Sequence, residues 1–81
     1  LDRAIDAYRR ALALDGGVGH IWYNFAEVLL VAGERAGAVR GSDRGLALWK
    51  EAEEALQRLL AVEVHHTRGR QRLLQLRERM P

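Results

Sequence analysis

The chain has 81 residues, 48% apolar and 30% charged, with a net charge of +2: the balance of one small globular domain rather than a disordered segment. It has no cysteine, which excludes disulfides, thiolate chemistry and cysteine-based metal sites and favours a reducing compartment, the cytoplasm. No apolar run approaches the roughly 18 residues of a membrane span, and nothing resembles a signal peptide. The chain opens at Leu1, without Met, inside a helical pattern, as a fragment would.

Residues 1–15 carry the first predicted helix. Leu1, Ala4, Ile5, Tyr8, Ala11 and Leu12 form an amphipathic stripe, with Asp2, Arg3, Asp6, Arg9 and Arg10 on the other face. The sequence "DGG" at 15–17 ends it, because glycine accepts the left-handed turn of a helix C-cap. A second helix over 18–32 is apolar nearly all round, interrupted by His20, Asn24 and Glu27, and should be buried on more than one side. Gly33, Gly37, Gly41 and Gly45 then recur every fourth residue. On one helix they would line a smooth groove, but glycine costs about 1 kcal/mol against alanine in a helix interior, which favours a flexible connector over 33–42.

Ser42 or Asp43 offers the next N-cap. A third helix over 43–63 places Leu46, Trp49, Ala52, Leu56, Leu59 and Leu60 on one face, and "VHHTRG" breaks it. The fourth helix, 67–80, turns Leu73, Leu76 and Met80 inward. It also concentrates charge: residues 65–81 hold five arginines against Glu78 alone, a net of +4, while the remaining 64 residues sum to −2. No segment reads as a strand, so the fold class is all-α.

Two stretches, "LDRAIDAYRRALALD" and "WKEAEEALQRLLAVE", are versions of one helix: Ala4 matches Ala52, Tyr8 matches Leu56, Ala11 matches Leu59 and Leu12 matches Leu60. Between them, "HIWYNFAEVLLVAGE" resembles the first helix of a tetratricopeptide repeat (TPR), with Trp22, Phe25, Ala26 and Leu29 at that helix's signature positions. The resemblance implies a right-handed α-solenoid over 1–81, with about fourteen extra residues, 35–48, inserted between the two helices of the second repeat. A closed four-helix bundle is the alternative. Either fold predicts a core of Tyr8, Leu12, Trp22, Phe25, Leu29, Leu56 and Leu59.

The resemblance also implies a non-enzymatic scaffold for protein–protein interaction. A peptide or partner helix would lie on the face of the second helix, at His20, Tyr23, Asn24 and Glu27. Asn24 stands where peptide-binding members hydrogen-bond an extended chain. Catalysis has little to work with: Ser42 and Thr67 are the only side-chain alcohols besides the two tyrosines, His65 and His66 are adjacent and diverge by about 100° on a helix, and no phosphate-loop or zinc-helix motif occurs. Neither a cofactor nor a metal is called for. The competing reading is nucleic-acid binding by the arginine-rich fourth helix. There Arg68, Arg72 and Arg79 flank the apolar stripe on one side, and Arg70 and Arg77, the candidate phosphate contacts, on the other. Finally, the first helix lacks a covering partner, which predicts self-association as a homodimer, or docking on neighbouring repeats, through Leu1, Ile5 and Tyr8.

Overall fold

The computed structural model describes residues 1–80, and among them every regular element is a helix. Helix α1 spans Asp2–Leu14, α2 Gly19–Arg35, α3 Asp43–Val62 and α4 Thr67–Arg79, with a single 3₁₀ turn at Ala38–Arg40 between α2 and α3. Each helix packs chiefly on its neighbours in the chain, α2 most extensively on α3. The Cα atoms occupy a slab of 33 × 27 × 13 Å. None of the described helices is long and apolar enough to cross a membrane.

The core follows from the stripes. Phe25, Ala26, Leu29 and Ala32 of α2 meet Trp49, Ala52, Ala55, Leu56 and Leu59 of α3, closed from one side by Ile5 and Leu12 and from the other by Leu73 and Leu76. Alanines at the crossing let the two backbones approach, and the larger side chains fill the hollows beside them. Trp49 is 1% exposed and donates its indole N–H to the Leu30 carbonyl at 3.0 Å, so its one polar atom is satisfied inside the apolar layer.

Several sequence expectations are corrected here. Helix α2 does not stop at residue 32: it continues through Gly33 to Arg35, so the connector begins at Ala36. Gly33 is therefore not a connector residue: it and Gly45, which lies in α3 as expected, are buried in helices that cross at that point. A Cβ on Gly33 would run into the Trp49 ring, and one on Gly45 would strike the Ala38 backbone and lie 2.8 Å from the Gly33 carbonyl oxygen. Glycine is needed at both for close approach rather than for flexibility. Gly37 and Gly41 do serve as turn residues, with φ of 94° and 81°. At the end of α1, neither Gly16 nor Gly17 takes a left-handed conformation. Asp15 ends the helix in an extended conformation, and its carboxylate accepts the Gly17 N–H at 2.9 Å.

Two predicted core residues, Trp22 and Tyr8, are only half-buried. Trp22 lies at the α1–α2 junction, donating to the Gly16 carbonyl at 2.8 Å, while the fully buried indole is that of Trp49. Caps set the remaining boundaries. Ser42 Oγ accepts the Gly45 N–H at 3.2 Å to start α3, and His66 Nδ1 accepts the Gly69 N–H at 2.8 Å to start α4. The second cap was not expected from the sequence, because histidine is a rare capping residue.

Candidate functional site

Helices α2 and α4 both pack on α3 and leave a groove between them. Its α2 wall is a stripe repeating at helical spacing: Tyr23, Glu27, Leu30, Val31 and Glu34. Its α4 wall is Arg68, Gln71, Arg72, Gln75 and Arg79, with Leu76 and Trp49 reaching it from the core. Residues near the start of α2 face residues near the start of α4, so the two helices run the same way along the groove. Two cavities of about 260 and about 200 Å³ lie along it, sharing Arg72 and Gln75.

The two halves differ in chemistry. At the N-terminal end the lining is Tyr23, Arg68, Gln71, Arg72 and Gln75: two cations, two amides and a phenol, with no carboxylate. Tyr23 is held from behind by the His66 ring, with centroids 5.1 Å apart. One residue, His66, therefore caps α4 and buttresses the groove's tyrosine. At the C-terminal end Leu30 and Val31 supply apolar surface among Glu27, Glu34 and Arg79, over the buried Leu76 and Trp49, and the Arg79 guanidinium lies 4.8 Å over the Trp49 ring.

One ion pair spans the groove. Arg72 Nε lies 2.9 Å from Glu27 Oε1, yet the alignment is too poor for a hydrogen bond, so that enclosed oxygen is matched by charge alone. The Tyr23 hydroxyl first, and the Glu27 charge second, hold the Arg72 guanidinium above its ordinary value. It is a fixed cation at any working pH. Arg68 makes no ion pair among the described residues.

Of the four residues predicted on the α2 face, the groove takes two. Tyr23 and Glu27 are half-buried and form its wall, while His20 and Asn24 are exposed and line neither cavity. The two arginines predicted to meet phosphate point elsewhere and are engaged. Arg70 donates to the Val64 carbonyl at 2.6 Å, and Arg77 to Glu53 of α3 at 3.1 Å. The other three arginines of α4, grouped on one side of its stripe, are the ones that reach the groove. That grouping was the available signal for the α4 wall.

The opposite face of the slab also carries a cavity, of about 410 Å³, between α1 and α3, floored by Trp22, Phe25 and Leu12. Arg9 bridges its rim to Glu51 through hydrogen bonds of 2.6 and 2.9 Å, which hold the Arg9 guanidinium above its ordinary value. The surface predicted for self-association is changed by packing. Ile5 is buried inside the chain and Tyr8 is half-covered, its ring 6.1 Å from that of Phe25, leaving Leu1 as the exposed member of the three. Helix α1 instead turns Asp2, Arg3, Asp6, Arg9 and Arg10 outward.

Fold and groove together define, among the described residues, an all-helical chain whose α2–α4 groove is polar at one end and mixed polar and apolar at the other. Comparison with family models, curated proteins and solved structures gives no match.

Proposed function

We propose that this chain is a non-enzymatic protein-interaction module of tetratricopeptide type, which binds a peptide in the groove between α2 and α4. The observation that carries the reading is the continuous groove itself: a helical-spaced stripe on α2, opposed by amides and arginines on α4, with Leu30 and Val31 apolar at one end. Side-chain amides suit recognition of a peptide backbone, since each can donate and accept at once. A repeat array rather than a closed bundle is supported by the slab dimensions, 13 Å at the thinnest, and by helices that pack on their chain neighbours. The similarity of the α1 and α3 patterns, with alanine and leucine at matched positions such as Ala4/Ala52 and Leu12/Leu60, supports it as well.

Nucleic-acid binding draws less support, because Arg70 and Arg77 are spent on contacts within the chain. Selection from a displayed random-peptide library tests the proposal. Peptides enriched by the wild-type chain should lose binding to a Tyr23→Ala variant. Equal binding by both would move the site off α2. Binding of RNA or duplex DNA that falls steeply with salt, and that Arg70 and Arg77 substitutions flatten, would favour the nucleic-acid reading instead.

A further inference from the structure

The chemistry of the two cavities specifies more than a generic peptide. Resting on the groove reading above, we propose that its partner is an extended peptide carrying one acidic and one apolar side chain, separated by about three or four residues.

The acidic residue follows from the N-terminal cavity. Arg68 and Arg72 line it; Arg72 is already paired with Glu27, but Arg68 has no ion-pair partner among the described residues. The Tyr23 hydroxyl and the two glutamine amides supply further donors at the same place. Over the groove as a whole three arginines face two glutamates, Glu27 and Glu34, so an incoming carboxylate also balances the surplus. The apolar residue follows from the other end, where the half-buried Leu30 and the 43%-exposed Val31 form a small apolar patch that a single aliphatic side chain would cover, above the buried Leu76 and the Trp49 ring that Arg79 already covers.

The spacing follows from helix geometry. Tyr23 stands seven and eight residues before Leu30 and Val31, and Arg68 eight before Leu76. At about 1.5 Å of rise per residue that is about 10–12 Å. An extended chain advances about 3.3 Å per residue and covers the same distance in about three to four steps. Cavities of about 260 and about 200 Å³ each take a side chain or two. They do not admit a helix, which is about 10–12 Å wide with its side chains.

Fluorescence anisotropy on the 81-residue chain, with fluorescein-labelled Gly–Ser peptides bearing one Asp and one Leu at separations from one to six, tests the inference. Affinity should peak at separations of three and four and fall about tenfold when either residue is replaced by Ser. Arg68→Glu should weaken the Asp peptide by at least about tenfold and bind a Lys peptide of the same spacing instead. Val31→Asp should abolish the preference for Leu while leaving that for Asp. Circular dichroism of both variants establishes that they fold, since both substituted positions are exposed. A flat response to separation, with binding still lost on Tyr23→Ala, would overturn the acidic–apolar pairing and leave the groove reading standing. No binding of any peptide to the folded chain would overturn both. A single-stranded RNA oligonucleotide that binds tightly and loses affinity with Arg68→Glu would overturn the peptide in favour of nucleic acid.

Discussion

Helix α2 has two working sides, and they are built from different materials. Toward α3 it presents Phe25, Ala26, Leu29, Ala32 and Gly33, and the seam is dry, with no buried polar or charged residue among those described. Toward α4 it presents Tyr23, Glu27, Leu30, Val31 and Glu34, and the contact is an open groove crossed by one loosely aligned ion pair. Small residues allow backbones to approach until no room is left, whereas long charged side chains hold two helices apart and keep their heads wet. The seam therefore carries stability and the groove is left free to bind. Substitutions on the two sides should separate those roles.

The largest loss is expected at the centre of the seam. Trp49→Ala removes a 1%-exposed indole and should cost about 3–5 kcal/mol in a urea melt. A loss below about 1 kcal/mol would mean the seam is not the source of stability. Gly45→Ala sharpens the point, because helix propensity alone predicts a gain of about 1 kcal/mol. The new Cβ would meet the backbone of Ala38 and the Gly33 carbonyl, neither of which can turn away as a side chain could. A net destabilisation of about 1–3 kcal/mol is expected. A rise in stability would refute the close crossing.

Trp22→Ala should cost less than Trp49→Ala, about 1.5–3 kcal/mol, since its ring is only half-covered. On the groove side, His66→Ala should cost about 1 kcal/mol through the lost cap, with His66→Asn recovering most of it. The smallest effect belongs to the exposed ion pairs: Arg77→Ala should fall within about 0.5 kcal/mol of wild type. A loss as large as that at Trp49 would place α4, not the α2–α3 seam, at the heart of the fold.

The same contrast explains what was legible in the sequence. The four helices were, because their apolar stripes repeat at helical spacing and polar or glycine-rich breaks separate them. The glycines were not. The expected connector over 33–42 held Gly37 and Gly41, which are turn positions, but also Gly33, which with Gly45 of α3 is a helix-crossing position, a division set by tertiary contact rather than local pattern. The repeat resemblance placed Trp22 in the core, while packing gave the buried indole position to Trp49. For the groove, Tyr23 and Glu27 stood out as polar interruptions of an apolar helix. The α4 wall did not, because an arginine-rich helix reads the same whether its cations face solvent or a neighbour. Only the side of the stripe on which Arg68, Arg72 and Arg79 lie distinguished them from Arg70 and Arg77.

The claim that α2 binds through its α4 side is tested most directly by titrating the ¹⁵N-labelled chain with an Asp-x-x-Leu peptide and following the backbone amides by NMR. The account predicts shifts concentrated at residues 23–34 of α2 and 68–79 of α4, with α1 and the α3 residues around Ala52 and Ala55 unmoved. Shifts concentrated instead at Arg9, Trp22, Glu51 and Arg58, around the cavity on the opposite face, would contradict it.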